Sequence, residues 1–241
     1  MRGVRPDYGM DAPVIVRRFA VLGATALLFA VALRATSFSI TSLVVGTVGA
    51  WSIACAFVMV GGSKVGKFRL RDALLSRIAW RGDGRVLDVG CGHGLLLVAA
   101  AKRLCTGRAV GIDIWSQTDQ TDNRPEKTAE NARLEGVADR VEVRDGDARR
   151  LDFPNEAFDV VLSSFAPHNI PESSERERAV REIVRVLKPG GRAAVVDVWR
   201  ISQYRRVFRE SGMEHVRLSW PSFWFVAPSF ILTAVKPRAP R

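Results

Sequence analysis

Hydrophobic and polar positions divide the chain into two unlike parts. Between Phe19 and Gly62 the only charged residue is Arg34. Ile40 to Gly62 gives 23 uncharged residues, about 35 Å of helix at about 1.5 Å per residue, enough to cross a bilayer. Phe19 to Leu33 is shorter, but Val14 to Val16 lengthen it, and Arg18 and Arg34 can snorkel. Small residues recur four apart: Ala26 and Ala30 in the first run, Gly46, Ala50 and Ala54 in the second. That spacing suits close helix contact in lipid. The pattern predicts a transmembrane hairpin within residues 1–63, with spans at 14–34 and 40–62. Two other readings compete, an export signal built on Arg17-Arg18 and Phe19 to Leu33, and a pair of buried soluble helices. The second, longer apolar run argues against both.

Lys64 to Trp80 sets Phe68, Leu70, Leu74, Leu75 and Ile78 on roughly one helical face, predicting a linker helix within 64–82. Gly82-Asp83-Gly84 ends it. From residue 83 to 241 short apolar strands alternate with helices. Strands are predicted at Val86–Val89, Arg108–Asp113, Arg140–Arg144, Ala157–Ser163, Arg192–Val198, Val216–Ser219 and Phe230–Val235. Helices are predicted from Leu95, at Arg124–Glu135, Arg176–Leu187 and Ser202–Ser211, with Lys188-Pro189-Gly190-Gly191 stopping the third. This alternation implies a largely parallel α/β sheet with ligands at the strands' carboxyl ends.

Charge adds direction. The chain carries 36 Lys+Arg against 25 Asp+Glu, a net +11, which favours an anionic partner such as nucleic acid or the cytoplasmic leaflet. Arg2, Arg5, Arg17 and Arg18 precede the first span, and Lys64, Lys67, Arg69 and Arg71 follow the second. Only Arg34 lies between them, so both termini and the α/β domain are expected in the cytoplasm, with Arg34 to Ser39 as a turn on the far side. Cys55, Cys91 and Cys105 are scattered, which fits a reducing compartment, and His93, His168 and His215 are too dispersed for a metal site.

The candidate chemistry begins at Val86-Leu87-Asp88-Val89-Gly90-Cys91-Gly92-His93-Gly94. An apolar strand ends in an acid and then in glycines at alternate positions, where backbone can approach a ligand closely. Asp113 ends the second strand about twenty residues on, where such folds place an acid on ribose hydroxyls. A Rossmann dehydrogenase needs G-x-G-x-x-G, a spacing this loop lacks. VLDVGCGHG, GID, DGDARRLDF, FDVVLSS and REIVRVLKPGGR arrive in the order and spacing of class I S-adenosylmethionine-dependent methyltransferases. From about Lys67 to Pro237 the chain resembles that family, most of all the branch that methylates small molecules, quinones and lipids.

The resemblance implies a Rossmann-like seven-stranded sheet and S-adenosylmethionine as cofactor. By position, Asp88, Gly90, Gly92 and Gly94, with Cys91 among them, would form the floor and walls for the methionine moiety. Asp113 would take the ribose hydroxyls, and Ile114 or Trp115 would pack on adenine. Asp147 would accept from the adenine amino group beside Ala148, and Ser163 would line the cofactor near the sulfonium. His93, inside the loop, would touch cofactor rather than acceptor. His168, just past the fourth strand, is the candidate base, or else a cap on the following helix. No N/D-P-P-Y tetrad or Pro-Cys pair follows that strand, which disfavours DNA methylation. RNA passes that test, but no RNA-binding module is visible and the membrane accounts for the basic charge, so no nucleic-acid partner is expected. Ser219 to Phe225 is aromatic and would line an acceptor pocket, enter the membrane interface or pack the last strands. The expected protein is a membrane-anchored methyltransferase of a small, apolar, quinone-like or lipid-like acceptor. Two alternatives are a cofactor-binding membrane scaffold without turnover and a tethered enzyme acting on a soluble small molecule.

Overall fold

The computed structural model describes residues 5–35, 39–117, 120–224 and 227–238. The expected turn at Arg34 to Ser39 and the aromatic Phe225 therefore fall partly or wholly outside the described residues. Helix α1 (Pro13–Ala35) and helix α2 (Ser39–Gly61) lie side by side. Their tightest approach is Gly23 against Gly49. A Cβ on Gly23 would stand 2.7 Å from Ile53 and 2.9 Å from the Gly49 carbonyl oxygen. Ala30 and Gly46, both anticipated from the small-residue spacing, meet at an ordinary 3.5 Å measured from a Cβ built on Gly46. Large side chains point away from this contact: Leu28 is 74% exposed and Phe57 73%.

Helix α2 does not stop where the linker was expected to begin. It passes through one π-helical turn, Gly62–Gly66, straight into α3 (Lys67–Leu75), and the Lys67 N–H bonds back to the Gly62 carbonyl. The apolar span and the linker are thus one rod. Its lower part buries Leu70, Leu74 and Leu75 against the α/β domain.

That domain is a seven-stranded sheet of order β3-β2-β1-β4-β5-β7-β6, the arrangement that the resemblance implies. The strands are β1 (Arg85–Val89), β2 (Arg108–Asp113), β3 (Val141–Asp145), β4 (Phe158–Ser164), β5 (Leu187–Asp197), β6 (Glu214–Leu218) and β7 (Phe230–Val235). The first five run parallel, and β7 is antiparallel to both β5 and β6. Runs such as Val160-Val161-Leu162 are apolar on both faces because helices cover both. Helices α3, α4 (Leu95–Ala101) and α5 (Pro125–Leu134) line one face. Helices α6 (Ser173–Val186) and α7 (Ile201–Glu210) line the other, over Phe158, Leu187 and Leu232.

Strand β5 begins five residues earlier than Arg192, the expected start. Lys188 to Gly191 stops α6 but stays in the sheet as an irregularity, where the pairing with β4 slips between Phe158 and Val160. Glycines tolerate such a bend. All parallel strands point their carboxyl ends at the same edge of the domain. The rod meets that edge at residues 63–69.

Candidate active site

The glycine loop leaves β1 with Gly90 and Gly92 at φ 73° and 48°. A Cβ on Gly90 would collide with the Ala166 methyl, and one on Gly92 would stand 2.6 Å from Gln120 Oε1. Glycine is required at both. The Gly90 and Cys91 amides donate to the Ile112 carbonyl at 2.9 and 3.0 Å, which docks the loop on the end of β2.

Carboxylates gather round this loop. Asp88 lies beneath it, fully buried, with the Leu97 amide facing its carboxyl outside good hydrogen-bond geometry. Burial pushes its pKa up to about 8, the Leu97 amide opposes that rise, and the Asp113 charge adds to it. Asp113 ends β2; its Oδ2 accepts from the Gly92 N–H at 2.9 Å and its Oδ1 from the Trp115 N–H at 2.7 Å. Asp145 ends β3 and accepts from the Trp115 indole N–H at 2.7 Å. Asp147 is clasped by the Arg149 guanidinium at 2.8 and 2.6 Å, which holds its carboxyl below the usual range. Asp197 ends β5. Five acids thus stand at or near the carboxyl ends of β1, β2, β3 and β5; Asp147 is already paired with Arg149, and Asp88 keeps its proton at neutral pH in the ligand-free chain.

The remaining residues named from the sequence take varied places. Ile114 stands at the rim, 67% exposed, while Trp115 is tethered through its indole and packs partly into the core. Ala148 packs against the core on the α6 side. Cys91 is buried, and burial together with Asp88 and Asp113 holds its thiol well above its usual pKa. The Ser163 hydroxyl is buried and donates to the Val89 carbonyl at 2.8 Å, pinning β4 to β1.

His93 corrects the expectation of a cofactor contact. Its ring is buried between the Asp7 and Asp122 carbonyls, at 3.3 and 3.2 Å. Residues 7–11, ahead of α1, cross here as a strap. Asn131 of α5 bonds both the N–H and the carbonyl of Asp7 at 2.9 Å. The buried Lys67 ammonium donates to the Tyr8 and Gly9 carbonyls, each at 2.7 Å. The Asp11 N–H donates to Ser63 Oγ at 3.0 Å, and Gln120 joins the strap to the His93 amide. No periodicity advertises these contacts.

Across the loop, the turn after β4 carries Phe165 at φ 52° and then Ala166, whose methyl abuts Gly90. His168 follows, in a short 3₁₀ turn at Pro167–Asn169. Its Nδ1 lies 2.6 Å from Asp197 Oδ1, a close polar contact outside good hydrogen-bond angles. Asp197 is wholly buried and is held by the Val198 N–H at 2.7 Å and the Tyr204 hydroxyl at 3.1 Å. Burial and the Asp197 charge raise the Tyr204 pKa, so the phenol stays a donor. Asp197 and Tyr204 were not singled out from the sequence. The signal for Asp197 was present, since it ends its strand as Asp88 and Asp113 nearly or wholly end theirs.

Comparison with known proteins agrees with this geometry. Residues 87–195 match the family model described as a methyltransferase domain. The phosphatidylethanolamine N-methyltransferase of Cereibacter sphaeroides is 39% identical over 114 residues, 47% of this chain and 50% of that protein. The demethylmenaquinone methyltransferase of Lactiplantibacillus plantarum is 33% identical over 128 residues, 53% of this chain and 50% of that one. The chain thus spans about half the length of these curated relatives. The crystal structure of the [4+2]-cyclase SpnF superposes with a TM-score of 0.59 at 26% identity, over 71% of this chain and 81% of that one. The α/β domain has the fold of the class I methyltransferases, and that fold with the domain match implies S-adenosylmethionine as its cofactor.

Proposed function

We propose that this chain is an S-adenosylmethionine-dependent methyltransferase, held at a membrane by α1 and α2, that acts on a small apolar or lipid-like acceptor. The observation that carries the reading is the glycine loop set between buried Asp88 and Asp113, whose carboxylate accepts from the Gly92 N–H at 2.9 Å. The buried Asp88 beneath the loop and Asp113 beside it fit a cationic, nucleoside-bearing ligand.

When bound, the cofactor supplies a methyl group on a positively charged sulfur. The chain then has three tasks. Asp113 would hold the ribose and Asp147 the adenine edge, with Ile114 on the ring, and a cationic ligand would draw Asp88 toward its charged form. The 165–169 turn, fixed against Gly90 through Ala166, would align the acceptor. His168 would take the acceptor's proton. With Nδ1 facing Asp197, the ring is oriented so that Nε2 is the nitrogen left to receive the proton. Tyr204 and the Val198 amide keep Asp197 from turning away.

The structural likeness to a cyclase is a reminder that one fold hosts several chemistries. Incubating the full chain with isotope-labelled donor and membrane extracts separates the readings. Label in a lipid-extractable product, lowered roughly 10²–10⁴-fold by His168→Gln, supports the proposal. Donor binding without label transfer favours a scaffold. Transfer only to a water-soluble product, equally fast in detergent and in membranes, favours a tethered soluble-substrate enzyme. Removing residues 1–63 is unsuitable, because it also removes the strap on His93.

A further inference from the structure

Residues 219–224 leave β6 toward the sheet's carboxyl edge and are built to stand out. The Ser219 N–H bonds the Ile231 carbonyl at 2.8 Å, and Ser222 and Ser229 exchange both backbone hydrogen bonds at 2.8 Å. On this braced backbone Trp220 is 91% exposed and Phe223 71%. Trp199, two residues past Asp197, is exposed on the same edge. Two of the three sequence readings of this segment therefore lose ground at Trp220 and Phe223, since neither ring packs the core and neither lines a closed pocket.

Trp224 explains where the exposed rings point. Its Cβ and carbonyl oxygen sit against Gly66, where an added Cβ would stand 2.8 Å from each. The Arg69 guanidinium lies 4.1 Å over its ring. The segment is thus fastened to the rod just below the last residue of α2, Gly61. Five residues of helix separate Gly66 from Gly61, about 8 Å at 1.5 Å per residue, while a headgroup layer is about 5–8 Å thick on each side. Lys64 and Arg69 are exposed on this stretch of the rod and Arg17 and Arg18 on α1 further into the hairpin, and none of the four forms an ion pair among the described residues. Aromatic rings beside unpaired cations match the chemistry of an anionic bilayer interface.

Resting on the membrane reading above, we propose that Trp220 and Phe223 seat in the interface of an anionic bilayer. They hold the edge that carries His168 and Asp197 at the lipid surface, so the acceptor enters from the plane of the membrane. The pairing of Asp197 with Phe230 puts the root of this aromatic connection beside the base pair.

The test uses full-length protein carrying Cys105→Ser, because Cys105 is exposed whereas Cys55 and Cys91 are buried. Trp220→Cys, Leu28→Cys and Asp139→Cys are each labelled with NBD and reconstituted into phosphatidylcholine–phosphatidylglycerol vesicles containing nitroxide lipids. The expected result is blue-shifted emission at 220 quenched best by headgroup-level nitroxide. Position 28 should be quenched best by deep nitroxide, and 139, at the opposite edge of the sheet, by neither. No quenching at 220 while 28 is quenched overturns the docking and leaves the anchor standing. No quenching at 28 overturns the anchor and with it this proposal. A blue shift at 220 that persists in detergent and grows with protein concentration reports a second copy of the chain and also overturns it. In activity terms, Trp220→Ala with Phe223→Ala should raise the apparent KM for a vesicle-borne acceptor roughly tenfold, leaving donor affinity unchanged.

Discussion

The helical hairpin and the α/β domain bury opposite kinds of residue. Between α1 and α2 the contact is made by Gly23, Gly49, Ala30 and Gly46, while Leu28, Ile40 and Phe57 face outward. In the domain Phe158, Leu187 and Leu232 are inside, and the outer surface carries the charges. In water the first arrangement would expose far more apolar area than a monomer carries. In lipid it is the expected one, because tails solvate Leu and Phe as well as a protein core does, and helices associate through small residues. The two regions share one chain and one rod, and on the proposed membrane reading each is folded for its own solvent.

Four substitutions probe that contrast, starting with the strongest. Phe158→Ala should cost about 3–5 kcal/mol, whereas Phe57→Ala, equal in chemistry, should cost under about 0.5 kcal/mol. Denaturant unfolding in micelles measures both, and equal losses would break the contrast. Leu28→Arg should disfavour insertion by about 2.5–3.5 kcal/mol if placed near the bilayer centre, read as the inserted fraction in a translocation assay. In a soluble helix pair the same change would merely improve solubility. Gly23→Val, which drives a side chain at Ile53 and the Gly49 carbonyl, should cost about 1–3 kcal/mol by overpacking, seen as a lower melting point of the hairpin in micelles.

The last effect is a slope with pH, and it belongs to the domain. Asp88 has a folded pKa raised to about 8 from 3.8, so between those values the folded state holds a proton that the unfolded state has released. Stability of the donor-free protein should therefore fall as pH rises through that window and level off above it. Asp88→Asn should flatten the slope in melting curves taken from acid to neutral pH, and should also weaken donor binding. A mutant whose slope matches that of the parent would show that Asp88 is solvated.

Much of the fold was legible because it rests on periodic features. Apolar strands ending in Asp88 and Asp113, and helices stopped by Gly136 or Pro189, announce themselves locally. What was missed depends on single contacts between distant residues. Asp197 lies 29 positions from His168, and only the sheet order brings them together. His93, Lys67 and Asn131 are buried polar residues whose partners are the backbone of residues 7–9, so neither member of each pair shows in a pattern. The glycines at 61, 62 and 66 look like a helix break, but the flanking residues packed against the strap and Trp224 keep the helix running. Gly23 was passed over in favour of alanine and glycine spacings of similar appearance, because the facing residue, Gly49, is decided by the helices' rotation.

That rotation has a consequence at the wide turn of residues 62–66. A π-helical turn accommodates one residue more than an α-helical one, and one residue of α-helix is about 100° of azimuth. The turn thus sets the compass bearing of the sheet relative to the hairpin: Ser63 and Lys67 face the strap while Gly66 faces Trp224. Deleting exposed Val65 should relax the rod to uniform helix and swing the domain by about that angle, separating one of the two grips from its partner. Helix length, hydropathy and every strand would survive such a deletion, and the bearing alone would be lost.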